Sequence, residues 1–367
     1  MRKNAIGFVL AAVLAAGTMS MARAENSAAE ARAFIEGLAA SAAEWDGPTT
    51  GPASVPDKLV VALADDLTNG GVLGVARGLE EAAEAIGWQI KIIEAGGTVS
   101  GRSSSFGQAL ALRPDGIFIL GYNPTEQKAQ LEQVERAGLP MIAWHSLSEN
   151  GPSEEDGFFV NVTTDARDVA KAAAYWAYLD AQEKPGVIIF TDSTFEIAVN
   201  KADWMKETIE SLGGEVLEYV DTPIAETSTR MPQLTTTLLQ RHGAKWTHSL
   251  AINDLYFDFM RPSLAAAGIP GDGMPRAVAA GDGSEAAYQR IRSREYQAVT
   301  VAEPLNLQGW QMIDEMNRAF AKEEWSGYQS PLHVVTHENV ERDGGAENRF
   351  DPDNGYREAY RAIWSKD

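Results

Sequence analysis

Cysteine is absent from all 367 residues, which excludes disulfides, thiolate nucleophiles, cysteine metal sites and a lipid-modified cysteine behind a leader. Histidine occurs only five times. His333 and His337 are four apart, but on a predicted strand that spacing does not aim two rings at one metal. Positive charge is also scarce, with 31 Lys and Arg against 52 Asp and Glu and a net charge of −21. Such a surface repels nucleic acid and anionic membranes. The G-x-G-x-x-G turn of dinucleotide sites is missing: the turn after the first predicted strand runs from Asp65 and Asp66 to Gly70 and Gly71, and its carboxylates would repel a pyrophosphate. P-loop and G-x-S-x-G nucleophile elbow are missing too. No cofactor and no metal is expected.

The N-terminus carries Arg2-Lys3, an apolar stretch from Ala5 to Ala16 and a small-x-small ending at Ala22-Arg23-Ala24. This predicts a cleaved signal peptide over residues 1–24 and a chain exported to the periplasm without a lipid anchor. The apolar stretch is shorter than the roughly 20 residues of a membrane span. Residues 26–45 have helical spacing, and Gly47 to Pro56 reads as a linker, so 25–57 form an N-terminal helix and connector.

From Lys58 onward, apolar runs alternate with helical patterns. Strands are predicted at 59–64, 89–94, 116–120 and from Pro140, with helices at 72–86, 102–112 and 124–137. The scheme repeats with helices at 166–181, 197–212, 231–242, 255–267 and 284–293, and strands at 186–191, 215–220, 247–252, 277–280 and 297–302. A helix at 307–321 and a strand at 332–336 follow. Two successive α/β units predict two lobes with a cleft between them.

Five of the apolar runs stop at polar residues: Asp65-Asp66, His145, Thr191-Asp192, Asn253-Asp254 and Glu303. In parallel α/β sheets ligands bind beyond the carboxyl ends of the strands, where these groups would gather. Carboxylates and amides there suit hydroxyls, which both donate and accept. Trp144, Phe195, Tyr256 and Phe257 stand beside them and offer faces for the C–H side of a sugar ring. The same acids would also suit a glycoside-acting enzyme, but no apolar setting singles out one of them as the proton donor.

Several ordered segments carry a resemblance to a known family. LVVALADDLTNGGVLGVARGLEEAAEAIGW, RPDGIFILGYNPTE, GLPMIAWHS, AINDLYFDFMRPSLAAAGIP and AAGDGSEAAYQRIRSREYQAVTVAEPL together resemble the periplasmic sugar-binding proteins of ABC importers, of the ribose-binding type, from about Lys58 to Thr336. The resemblance implies an α/β fold of two doubly wound parallel-sheet lobes joined by a three-strand hinge. Lobe 1 would comprise 58–160 plus 304–332, and lobe 2 would comprise 161–303 plus 333–367 with the C-terminal tail. Crossings would fall near 160–164, 303–306 and 330–336.

The resemblance further implies a non-enzymatic receptor that closes on a neutral monosaccharide or polyol and presents the closed shape to an inner-membrane ABC permease, acting as a monomer. A sensory receptor for a sugar or a furanosyl signal has the same implied site. Carried over, the ligand contacts are Asp65 or Asp66, Asn69, His145, Asn253, Asp282 and Glu303, and Trp144, Asp192, Phe195 and Asn200 complete the candidate set. His145-Ser146 replaces the family's Asp-Arg, Gly70-Gly71-Val72 replaces a loop that often bears stacking aromatics, and Asn200 stands in the helix region where an arginine is usual. Losing two arginines argues against an acidic sugar.

Overall fold

The computed structural model describes residues 26–40, 44–182 and 184–365. The signal peptide expected at 1–24 lies outside them. Among the described residues no helix is long and apolar enough to cross a membrane.

After helix α1 (26–38) the chain builds a first lobe from β1 (Leu59–Ala64), α2 (Gly70–Ile86), β2 (Gln89–Glu94), α3 (Val99–Ala111), β3 (Gly116–Leu120), α4 (Lys128–Arg136), β4 (Met141–Trp144), β5 (Gly151–Ser153) and β6 (Phe158–Val162). The second lobe comprises α5 (Ala166–Asp180), β7 (Gly186–Thr191), α6 (Glu196–Ser211), β8 (Glu215–Asp221), α7 (Thr227–His242), β9 (His248–Ala251), α8 (Leu255–Asp258) and α9 (Arg261–Ala266). It continues with β10 (Arg276–Ala279), α10 (Glu285–Ser293) and β11 (Val299–Ala302). The chain ends with α11 (Leu305–Ala321), β12 (His333–Thr336), α12 (Val340–Asp343) and α13 (Tyr356–Trp364).

The two sheets run β2-β1-β3-β4-β6-β5 and β12-β11-β10-β9-β7-β8. Removing the antiparallel edge strands β5 and β12 leaves five parallel strands in the same order in each sheet. The lobes are thus topological repeats: β1 corresponds to β7, α2 to α6, β4 to β10 and β6 to β11. The central strands are buried along their length because helices cover both faces.

Local signals explain where elements start and stop. Asn69 caps α2, its side chain accepting from Gly71 N–H, and Gly87 ends the helix in the left-handed region at φ 83°. Thr98 caps α3 by accepting from Gly101 N–H, so that helix begins at Val99, earlier than the sequence suggests. The single helix expected over 255–267 is two short ones, because Pro262 sits in the first turn of α9, where its missing N–H costs nothing, and opens a new helix. Strand β5 escaped the sequence reading, and β6 was anticipated there only as the hinge crossing near 160–164.

The carboxyl-terminal region also differs from its expected place in the second lobe. Strand β12 and α12 do belong there, with Val335 and Val340 packed near Tyr288. Helix α13 instead returns to the first lobe: Tyr356, Tyr360, Ile363 and Trp364 enter its core with Trp310 of α11. Trp364 stacks on Trp310 at 5.4 Å and donates Nε1–H to Asp314. A fourth crossing, 344–355, therefore joins those between β6 and α5, β11 and α11, and α11 and β12. At the other end, α1 rests Phe34, Ile35 and Leu38 on the second lobe's core, and Trp45 lies against the first lobe's.

Candidate functional site

The carboxyl ends of the parallel strands of both lobes face each other across one cleft. Asp65, Asn69, Trp144 and His145 enter it from the first lobe, and Phe195, Asn253 and Asp282 from the second. A larger cavity, about 340 Å³, opens at the opposite end of the second sheet between Trp176, Asp180 and Arg276. There Arg276 and Asp180 pair with each other, Nη1 lying 2.8 Å from the carboxylate. In the cleft, by contrast, Asp65, Asn69 and Asn253 each spend only one side-chain oxygen on a bond within the chain.

The lobes are closed on one another. The first turn of α2 reaches the turn after β10 so closely that a Cβ on Gly71 would collide with the Asp282 carboxylate, and one on Gly70 with Ser284. Glycine is required here for the approach itself. Arg77 pairs with Glu285 nearby, and Asn200 Nδ2 donates to Ser148 Oγ at 2.8 Å further along the interface.

At the floor, His145 has φ 53° and its ring lies flat on the Trp144 indole, 3.8 Å between centroids and 7° between planes. Trp144 Nε1–H donates to Gln308 Oε1 at 2.8 Å, and Gln308 Nε2 donates to Glu303 Oε2 at 2.9 Å. Glu303 Oε2 also pairs with His145 Nε2 at 2.9 Å, which closes the ring. The two aromatic rings thus form one fixed platform. Burial works to raise the Glu303 carboxyl, but the His145 ring with its hydrogen bond, Lys201 and Gln308 outweigh it and hold the group below its ordinary range. The other oxygen, Oε1, is buried without a hydrogen bond, 3.8 Å from Lys201 Nζ.

Two further carboxyls move the other way. Burial pushes Asp65 up to about 6 despite Arg102, whose Nη1 donates to Asp65 Oδ1 at 2.7 Å. Asp282 is raised, again chiefly by burial, against the pull of Lys201 and His145. Its turn is held by Asp254 Oδ2, which accepts from Gly283 N–H at 2.9 Å and Ser284 N–H at 3.0 Å.

Not every predicted residue faces the cavity. Asp66 turns back, its Oδ1 accepting from Thr68 N–H and Oγ1–H, whereas Asp65 lines the cavity. Asp192 is buried with both oxygens engaged, Oδ1 by Thr194 N–H and Oδ2 by Ile224 N–H, so it shapes the loops behind the wall. Asn200 serves the lobe interface. Glu303 stands behind His145 and borders an adjoining groove between the lobes. Tyr256 and Phe257, considered as ring faces, are core residues.

The sequence reading missed Lys201, which reaches the cavity from α6 and donates to Ala280 O at 3.1 Å. It also missed Arg102, the partner of Asp65, and an aliphatic lining of Val72, Ile197, Ala198, Ile224 and Ile252. His145, Asp282 and Glu303 bring ligand atoms within 4.8 Å of one another. Lys201 already supplies a cation at that corner, so the set is matched to the chain's own ammonium rather than to a metal ion.

Residues 60–324 match the periplasmic binding protein domain family. No curated protein matches the sequence significantly. Among solved structures, an ABC transporter solute-binding protein from Agrobacterium vitis bound to α-D-tagatopyranose superposes with a TM-score of 0.70 at 16% identity, covering 80% of this chain and 98% of that one. Another from the same organism, with bound allitol, gives 0.67 at 17% identity, covering 78% and 98%. An ABC sugar transporter subunit from Rhodobacter sphaeroides gives 0.64 at 17% identity, covering 77% and 99%.

Proposed function

Because the chain belongs to the periplasmic binding protein domain family, we propose that it is the solute receptor of an ABC importer, taking a neutral monosaccharide or polyol between its lobes. The observation that carries this reading is the set of unspent polar groups brought together from both lobes. Asp65 has one oxygen free of Arg102, Asp282 is engaged by charge alone, and Lys201 uses one of its three protons on Ala280 O. The amide nitrogens of Asn69 and Asn253 are free too, since each side chain spends only its oxygen on a local turn. Acceptors and donors interleaved in this way are what vicinal hydroxyls require. The relatives' tagatopyranose and allitol are a cyclic and an open-chain polyhydroxyl compound, and the aromatic platform of Trp144 and His145 stands beside the polar set.

Closure would couple binding to transport. A ligand touching both lobes favours the closed form, since only that form offers the full set of contacts. The permease would then read the relative position of the lobes. Export to the periplasm belongs to the same proposal. Thermal-shift screening against pentoses, hexoses and alditols tests it: a ligand at 100 times its Kd adds about 2.7 kcal/mol of stability. Absence of any shift across such a panel, with calorimetry also silent, would overturn the reading.

A further inference from the structure

The carboxyl-terminal segment crosses between the lobes without slack. Residues 344–349 ride on the second lobe: Arg349 N–H donates to Gly344 O at 3.0 Å, and Arg292 of α10 donates to Gly345 O at 2.9 Å. Phe350 ends this stretch, buried with Tyr288, Ile291, Val335 and Val340 and stacked on His333 at 4.3 Å and 6°. The next residue already belongs to the first lobe. Asp351 Oδ1 accepts from Tyr356 O–H at 2.9 Å, and its Oδ2 accepts from Arg357 Nη2 at 2.7 Å. Tyr356 lies in the first lobe's core, and Arg357 pairs with Glu81 of α2. Consecutive residues are therefore fixed to opposite lobes, with a single Cα step of about 3.8 Å between them. The amino-terminal crossing is looser: Ala39, whose carbonyl is held by Arg342 of α12, and Trp45, packed on the first lobe, are six residues apart, a reach of about 20 Å.

The strap joins the two helices whose first turns meet across the cleft. There Gly70 approaches Ser284, and Arg77 pairs with Glu285. One turn further along, Tyr288 of α10 packs near Phe350, and Glu81 of α2 holds Arg357. Arg349 and Phe350 themselves line the groove between these helices. Parting α2 from α10 must then pull Phe350 off His333, or Asp351 off Tyr356 and Arg357. We infer that residues 350–351 are a tether that limits how far the lobes open on this flank. The inference rests on the receptor reading only in that the lobes move against each other. A narrow opening raises the fraction of molecules near the binding form, and with it the apparent affinity.

Because the chain has no cysteine, nitroxide labels can be attached at Glu84→Cys of α2 and Gln289→Cys of α10, both exposed positions, and their separation read by pulsed electron paramagnetic resonance without ligand. Two glycines inserted between Phe350 and Asp351 keep both anchors and add up to about 7 Å of chain. The expected result is a separation that lengthens and broadens relative to the unmodified strap. The same insertion between Gly345 and Ala346, on the second-lobe side of Phe350, should leave it unchanged. Asp351→Ala frees the first-lobe anchor without altering chain length and should also lengthen the separation, so the tether stays testable if the insertion fails to fold. Equal separations in the unmodified chain and in a folded variant, or an equal increase from the control insertion, would overturn it. No ligand is needed for this measurement, so failure of the sugar panel would overturn the receptor reading and leave the tether to be decided here.

Discussion

Asp65 and Asp192 occupy the same place in the two lobes, each just past the end of the strand that starts its lobe's doubly wound sheet. In the first lobe the carboxylate meets a buried arginine, is pushed up in pKa by its surroundings and leaves an oxygen toward the cleft. In the second lobe the equivalent carboxylate is spent on two backbone N–H groups and never reaches the cavity. The helices that follow diverge as well. Helix α2 opens with Gly70 and Gly71, bare enough to meet Asp282, whereas α6 opens with Glu196 and Ile197 and contributes wall. One topology is thus used twice for different work: the first lobe supplies a charged, close-fitting edge, and the second supplies an apolar surface plus Asn253, Lys201 and Asp282.

The comparison breaks most visibly at Arg102. Removing it by Arg102→Ala leaves Asp65 buried without its cation, and the expected loss is about 3–5 kcal/mol at neutral pH. Asp192→Ala, by contrast, strands two backbone donors with no buried counter-charge and should cost about 1–3 kcal/mol while leaving sugar affinity unchanged. Urea denaturation of both variants decides the matter; equal losses would mean that the two carboxylates do the same job. A pH series sharpens the same contrast. Asp65 has a folded pKa of about 6 against an ordinary 3.8, so the native state holds more protons than the unfolded chain between those values. Stability contributed by this group is therefore present at low pH and lost as pH rises from about 4 to 6, by up to about 3 kcal/mol. Asp282, raised in the same direction, adds to the slope. Asp65→Asn should flatten it in part, and a slope unchanged by that substitution would show that Asp65 is ionised throughout.

Much of this architecture can be read from residues alone. The alternation of apolar runs and capped helices foretells both sheets, and the polar residues at the strand ends foretell the cleft. Asp65, Asn69, Trp144, His145, Phe195, Asn253 and Asp282 do meet there. What the sequence conceals depends on contacts between distant segments. Arg102 is 37 residues from Asp65, and nothing local marks it as buried. Lys201 follows Asn200 on an ordinary amphipathic helix, and only the crossing of α6 over β7 turns one inward and the other to the interface. Helix α13 could dock on either lobe by its own pattern; the stack of Trp364 on Trp310 decides it.

The narrower fit of the first lobe is open to direct challenge at Gly71. An added methyl meets the Asp282 carboxylate in the closed form, and overpacking of this kind costs about 1–3 kcal/mol, equivalent to a 10- to 100-fold weaker Kd. The corresponding position on α6 already carries the Ile197 side chain, so Ile197→Ala should change affinity through lost contact without obstructing closure. Small-angle scattering separates the two: Gly71→Ala should remain more open at saturating ligand, and Ile197→Ala should close normally.

The smallest effect is expected at Asp66, next to Asp65 in sequence and absent from the cavity. Its Oδ1 accepts from Thr68 N–H at 2.8 Å and Thr68 Oγ1 at 2.6 Å within a partly exposed turn, and a local turn bond of this kind contributes about 0.5–1.5 kcal/mol. Asp66→Asn keeps an acceptor at the same position and removes only the charge, so ligand affinity should stay within about twofold, since a partly exposed charge acts through a high dielectric. Asp65→Asn should weaken the same titration at least tenfold, because it exchanges a carboxylate oxygen facing the ligand for a neutral amide. If Asp66→Asn proved the more damaging of the two, the turn would have to reverse its two carboxylates on binding. The division of labour between the lobes would then belong to the closed form shown here and not to the liganded one.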